Sequence, residues 1–138
     1  MLALYRERAF LDIELKVEGL EDITARLLER LRPRRGFVVS SFLPQVLDGV
    51  HAQDPTLPLG LICETKAKLR HWNRLPLECV IPHHRLVDSG LILEWKAAKK
   101  RILVWTVNSP HDMLRFRDWG VDGIISDDPK LLSRTFGV

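Results

Sequence analysis

Leu11-Asp12-Ile13-Glu14-Leu15-Lys16 alternates apolar and charged side chains over six residues. An extended chain sends successive side chains to opposite faces, so Asp12, Glu14 and Lys16 share one face and Leu11, Ile13 and Leu15 the other. The pattern predicts a strand over Phe10–Lys16, with one face in a core and a carboxylate and an ammonium together on the other. Two settings satisfy it. One is a barrel strand whose charged face looks into a polar mouth; the other is a half-exposed strand whose charged face is simply solvated.

Outward from this strand, the chain alternates strand and helix signals with short connections, which is the signature of parallel βα units. Leu2, Leu4 and Tyr5 suggest a short helix within residues 1–9. After the break at Gly19, Ile23, Leu27, Leu28 and Leu31 recur at helical spacing, and the helix ends between Pro33 and Gly36. Phe37–Phe42 reads as a buried strand with a polar end. Pro44 then opens a helix carrying Val46, Leu47 and Val50, which Asp54-Pro55 stops. A strand over Leu57–Ile62 contains a proline, which argues against its full length.

Further along, Thr65–Arg74 reads as a helix with Leu69 and Trp72 inward, and Glu78–Ile81 as a short strand. Leu91, Trp95 and Ala98 mark one face of the next helix, and Lys96, Lys99, Lys100 and Arg101 sit at its C-terminal end, where cations complement the helix dipole. Ile102–Val107 is the plainest strand in the chain. Ser109, Pro110 and Asp112 supply a cap, a first-turn proline and an early acidic residue for a helix through Trp119, with Gly120 as its stop. A strand over Val121–Ser126 and a helix from Pro129 complete six strands and about as many helices. No linker, repeat or low-complexity segment interrupts residues 1–138, which read as a single domain.

The motifs in this order resemble those of the glycerophosphodiester phosphodiesterase family, whose members fold as (β/α)₈ barrels. In that family the third strand carries E-x-K, the fourth ends in S-S-F, the seventh ends in W-T-V-N and the eighth reads G-V-D-G-I-I-T-D-x-P. Here the counterparts are Glu14-Leu15-Lys16, Ser40-Ser41-Phe42, Trp105-Thr106-Val107-Asn108, and Gly120 through Pro129, with Ser126 in place of the threonine. Four short motifs in matching order are far more specific than any one of them. The resemblance implies an α/β fold that is an incomplete TIM-type barrel, with about six parallel strands and flanking helices corresponding to strands three to eight. Length agrees, since 138 residues fall well short of the about 250 of a whole barrel.

What the resemblance leaves out bears on chemistry. The family's first strand brings H-R-G and E-N-T, and its second brings E-x-D and an H-D pair; together these supply both catalytic histidines and two of three metal-binding carboxylates. None of them occurs here, and the five histidines, His51, His71, His83, His84 and His111, all fall in the later part of the barrel. By resemblance Glu14 is a metal carboxylate, Lys16 a phosphate ligand and Trp105 an apolar wall for the alcohol part of the substrate, and no catalytic residue is assigned. The cofactor implied is a divalent ion, calcium or magnesium, which this chain alone is not expected to bind. Plainer roles stay open, with Lys16 as a strand-end ion-pair partner and Trp105 as core. His83-His84 follows a strand but has no acidic or nucleophilic neighbour spaced to make a triad or a metal site.

Composition narrows the classes of function. With 46% apolar and 28% charged residues and a net charge of +3, the chain is an ordinary globular sequence with a mildly basic surface. Arg26, Arg30, Arg32, Arg34 and Arg35 cluster, but Glu21, Asp22 and Glu29 lie among them, so a solvated helix face is favoured over a nucleic-acid patch. Cys63 and Cys79 stand alone in apolar surroundings, as core residues of a reducing compartment. No apolar run reaches the roughly 18 residues of a membrane helix, and no basic-then-apolar leader is present, so the chain as given reads as cytoplasmic with no membrane partner.

Three functions are compatible with these residues. The first is a truncated phosphodiesterase that hydrolyses glycerophosphodiesters to glycerol 3-phosphate and an alcohol only when the missing strands are supplied. The second is a degenerate phosphate-binding or protein-interaction module without catalysis, and the third is a basic nucleic-acid-associated domain. Removing two strands from a closed barrel leaves unpaired edges at Leu11–Lys16 and Val121–Ser126, so a homo-oligomer through these edges is expected.

Overall fold

The computed structural model describes residues 2–138, which form six parallel strands with flanking helices, an incomplete TIM-type α/β barrel. The chain divides into two compact units. The first comprises residues up to Ile62 with His71–Glu78, and the second Cys63–Arg70 with Cys79–Val138.

In the first unit a short helix α1 (Leu2–Tyr5) precedes strand β1 (Leu11–Glu14), helix α2 (Glu21–Arg30), strand β2 (Phe37–Ser41), helix α3 (Pro44–Gln53) and strand β3 (Leu59–Cys63, whose last residue belongs to the second unit). β1 pairs with β2 in parallel, Leu11 opposite Phe37 and Glu14 opposite Ser40, and β2 pairs with β3, Ser40 opposite Gly60. β2 is buried throughout, as a strand covered on both faces must be. The strand expected over Leu57–Ile62 begins only at Leu59, because Pro58 has no N–H to give. Its carbonyl instead accepts from Val39 N–H at 2.8 Å.

Helix α2 buries only part of the expected face: Leu28 is buried as expected, but with Thr24 and Ala25 beside it, while Ile23 and Leu27 remain 60% and 44% exposed. Its first turn carries Glu21 and Asp22 at the positive end of the dipole, and Glu21 reaches back to accept from Gly19 N–H at 2.8 Å, which fastens the turn ahead of a helix whose N-cap, Leu20, has no side-chain acceptor. α3 follows the sequence closely: Pro44 occupies the first turn, and Val46, Leu47 and Val50 are fully buried.

The second unit contains helix α4 (Lys66–Leu69), strand β4 (Cys79–Pro82), a 3₁₀ turn (His84–Leu86), helix α5 (Ser89–Ala97), strand β5 (Arg101–Val104), helix α6 (Pro110–Asp118), strand β6 (Gly123–Ile124) and helix α7 (Pro129–Phe136). β4, β5 and β6 pair in parallel in chain order. α4 is a single turn capped by Thr65 rather than a helix to Arg74, with Leu69 buried and Trp72 partly exposed outside it. On α5 the buried pair is Ile92 and Trp95, one position round from the expected Leu91, Trp95 and Ala98. Trp95, Ile102, Val104, Met113 and Phe116 form the buried centre of this unit.

Strand β6 is shorter than Val121–Ser126, and Asp122 explains why. Its backbone N–H donates to Ile102 carbonyl at 2.9 Å while its carboxylate accepts from Ile102 N–H at 2.8 Å, so a side chain takes the place of one rung. Glycine follows, and a Cβ there would meet Leu103 Cδ2 at 2.6 Å, so Gly123 lets the strands approach without displacing that side chain. Ser109, Asp88 and Asp128 each cap a helix by accepting from the N–H three residues on, at 3.1, 2.9 and 2.9 Å.

Candidate functional site

In βα architecture the strand C-termini and the loops after them carry the chemistry. In the first unit that end of β1 presents Glu14 and, just past the strand, Lys16. Their side chains meet at 3.9 Å, with Lys16 77% and Glu14 32% exposed. The two residues expected to share a face are therefore together, as a loose and largely solvated pair. Beneath them Ser40, fully buried on β2, donates from Oγ to the Asp12 carboxylate. Burial pushes the Asp12 carboxyl above its ordinary range, the Ser40 hydrogen bond pulls it down, and the neighbouring Glu14 charge adds to the rise.

Asp12 is a member of this cluster that the motif comparison passes over, although the D-x-E-x-K alternation places it on the same face. The Ser40-Ser41-Phe42 motif is a joint rather than a reactive group. Ser41 Oγ donates to Leu15 carbonyl at 2.7 Å and accepts from Leu43 N–H at 3.1 Å, tying the end of β1 to the start of α3.

In the second unit Trp105 follows β5 and is half-buried. Its indole Nε1–H donates to Ile81 carbonyl at 2.9 Å, so the ring is anchored to β4 rather than enclosed in the core. Beside it, His83 and His84 pack ring on ring with centroids 4.4 Å apart. Burial, then the His84 and Arg85 charges, lower the His83 pKa. Asn108, the last residue of W-T-V-N, accepts at Oδ1 from Ser126 Oγ and Asp127 N–H, both at 3.0 Å, and donates from Nδ2 to Asp127 Oδ2 at 2.9 Å. That carboxamide locks the loop after β5 to the loop after β6.

The donor set does not fit a divalent ion. Among the described residues no three His, Cys, Asp or Glu side chains come together as a metal-holding group. Calcium or magnesium takes six or more oxygens, several of them anionic. Glu14 has Lys16 beside it, and the nearest carboxylate on its strand, Asp12, is engaged by Ser40. Unaided, Lys16 in the first unit can attract a phosphate oxygen, and, separately, Trp105 in the second offers an apolar surface.

Residues 10–131 match the Glycerophosphoryl diester phosphodiesterase family. The chain belongs to that family. It is 27% identical over 117 residues to a glycerophosphodiester phosphodiesterase of Caldanaerobacter subterraneus subsp. tengcongensis, a match covering 83% of this chain and 48% of that protein. The crystal structure of glycerophosphodiester phosphodiesterase from Agrobacterium tumefaciens shares its fold at a TM-score of 0.81 and 19% identity, over 99% of this chain and 60% of that one. An Oleispira antarctica phosphodiesterase, solved with the product sn-glycerol-3-phosphate, does so at 0.77 and 24%, over 92% and 55%. The chain thus spans about half the length of the curated relative it matches. Among the described residues no helix is long and apolar enough to cross a membrane.

Proposed function

We propose that this chain carries the substrate-binding side of a glycerophosphodiester phosphodiesterase and turns over substrate only when further polypeptide supplies the remaining carboxylates and both histidines. The observation that carries the reading is the placement of Glu14 and Lys16 at the end of β1, on the strand end where barrel enzymes hold substrate. Enzymes of this family are typically metal-dependent, and Glu14 would be this chain's one contribution to a calcium or magnesium site. Lys16 would receive the phosphate, and Trp105 would face the glycerol or alcohol part. Cys63 and Cys79 are buried thiols rather than disulfide sulfurs, which supports a reducing, cytoplasmic setting.

The purified chain is assayed with glycerophosphocholine and bis-p-nitrophenyl phosphate in calcium and in magnesium, alone and mixed with a polypeptide bearing the family's H-R-G, E-N-T, E-x-D and H-D segments. Alone it gives no turnover; mixed, it gives turnover that Glu14→Ala abolishes. Metal-dependent turnover by the chain alone, lost in Glu14→Ala, overturns the proposal. A degenerate phosphate-binding module is the second reading. The shortfall of donors around Glu14 favours it, and binding of phosphate with no turnover in either arm would establish it.

The same reading extends to assembly. Beside edge strand β1, Leu2, Tyr5, Leu11, Ile13, Leu27 and Leu28 line an apolar cavity of about 310 Å³. Beside β6, Ile124, Leu132, Phe136 and Val138 line another of about 300 Å³. A homo-oligomer through one or both of these edges would cover them. Sedimentation equilibrium at micromolar concentration tests this, and a folded monomer of 15.9 kDa counts against it.

A further inference from the structure

Arg6, Arg8, Arg30, Arg32, Arg34 and Arg35 lie where the chain leads into β1 and β2, at the strand ends away from Glu14 and Lys16. By sequence the arginine cluster reads as a solvated helix face, but only Arg26 and Arg30 ride on α2; the others of that cluster follow it, in the loop before β2. The structure adds Arg6 and Arg8 from the segment before β1. Arg34 N–H donates to Arg6 carbonyl at 2.8 Å, and Leu11 N–H donates to Gly36 carbonyl at 3.1 Å, so the two lead-in segments are stitched side by side.

Acidic neighbours do not cancel this charge. Asp22 pairs with Arg26, and Glu21 accepts from Gly19 N–H, both at the far end of α2, about 12 Å along its axis from Arg30. Arg6 and Arg34 share one carboxylate, each Nε lying 3.3 Å from Glu7 Oε1. Against the six arginines stand Glu7, Glu29 and Asp54, the last within reach of the Arg32 charge. Three positive charges remain, which equals the formal net charge of the whole chain, +3. Among the described residues no ion pair engages the side chains of Arg8, Arg30 or Arg35, and all three are exposed.

We propose that these arginines form a docking surface for an anionic phospholipid bilayer. A guanidinium fork matches phosphate oxygens two at a time, and no lysine stands among the six. A lone phosphate ion meets one or two exposed guanidinium groups, whose pairings are individually weak in water, whereas a bilayer meets the whole set at once. Clusters of roughly four to eight cations suffice for such contacts. The segment carrying Arg6 and Arg8 also exposes Leu4 by 58% and Phe10 by 37%. Large apolar side chains among cations suit a surface that is charged outside and apolar beneath, while a sugar-phosphate backbone offers nothing to an exposed leucine. The contact lies on the bilayer and does not cross it.

Flotation of the full chain with vesicles tests this, comparing phosphatidylcholine alone with phosphatidylcholine and phosphatidylserine at about 3:1. Binding to the anionic vesicles is expected to be about tenfold tighter or more, and to fall by about tenfold or more when Arg8→Gln is combined with Arg35→Gln. Lys99→Gln with Lys130→Gln removes the same charge from exposed positions of the second unit and should leave binding within about twofold. Equal binding to both vesicles overturns the proposal, as does an equal loss in both double variants, which assigns binding to net charge. Tighter binding to single-stranded RNA than to the anionic vesicles overturns it in favour of nucleic acid. Release by inorganic phosphate at matched ionic strength overturns it in favour of a single-phosphate site.

The unsubstituted chain supplies a check that no folding defect can confuse. An arginine-specific reagent followed by mass spectrometry should find Arg8 and Arg35 shielded by the anionic vesicles, while Arg117 and Arg134 of the second unit react as before. Unshielded Arg8 and Arg35 overturn the proposal.

Discussion

Ser40, fully buried on β2, donates its hydroxyl proton to the Asp12 carboxylate on β1, and this single bond sets against the burial and the Glu14 charge that both disfavour ionisation. The balance leaves the Asp12 pKa above its ordinary value of 3.8. A carboxyl that holds its proton more tightly folded than unfolded makes stability fall as pH rises from that ordinary value through the folded one. Asp12→Asn should therefore stabilise the chain at neutral pH, with the gain shrinking in acid as the native Asp12 becomes protonated. Urea unfolding of both proteins between pH 3 and 7 checks this, and a variant less stable across the whole range would refute it.

Asp122 is predicted to matter through the backbone bond it accepts rather than through its ion pair. Its carboxylate takes Ile102 N–H at 2.8 Å and also meets Lys96 Nζ at 2.9 Å. The lysine pair is partly exposed and contributes less than about 1 kcal/mol, whereas leaving a strand N–H without its acceptor costs about 1–3 kcal/mol. Asp122→Ala should lower unfolding stability by the larger amount and Lys96→Ala by the smaller. Similar losses in both would assign the energy to the ion pair.

Cys63 is predicted to be chemically silent in the folded chain. Burial pushes its thiol up to about 12, only partly offset by the Lys68 charge, so almost no thiolate exists at pH 8. A chromogenic disulfide reagent at that pH should leave Cys63 unmodified until denaturant is added, and mass spectrometry of the labelled peptide would locate any early modification. Rapid labelling of Cys63 under native conditions would contradict the burial.

Phosphate, where it binds, is predicted to do so at Lys16. The side chain is 77% exposed and partnered only loosely by Glu14, which leaves its charge available. Lys16→Ala should weaken phosphate binding about tenfold, equivalent to ~1.4 kcal/mol. Chemical-shift titration would reveal the site, and shifts confined to the Arg30–Arg35 segment would count against it.

The alternation at Leu11–Lys16, the apolar run at Phe37–Ser41 and the capped helix after Ser109 were all legible, because each depends on periodicity or on a cap within a few residues. Helix orientation was legible only in part. Ile23 and Leu27 look inward by spacing alone, yet tertiary packing buries Thr24 and Ala25 beside the expected Leu28. Among the site residues, the Glu14–Lys16 pairing followed from the period of a strand. The contact between His83 and Trp105 did not, because it joins the ends of two strands more than twenty residues apart. Several residues of the motifs that carry the family resemblance are joints: Ser41, Asn108 and Asp122 hold loops and strand ends together.

Within each unit the strands neighbour one another in the order in which they occur along the chain. No strand has to wait for a distant segment to be inserted beside it, so structure can grow by adding one βα step to the last as the polypeptide emerges during synthesis. The same arrangement governs what deletion does. A cut between steps removes whole steps and leaves a new edge, whereas in a sheet with interleaved strand order the same cut would tear a gap through the middle. Recombination at such boundaries therefore yields pieces that retain their remaining ladder, which makes this architecture unusually permissive to division and rejoining of its coding sequence.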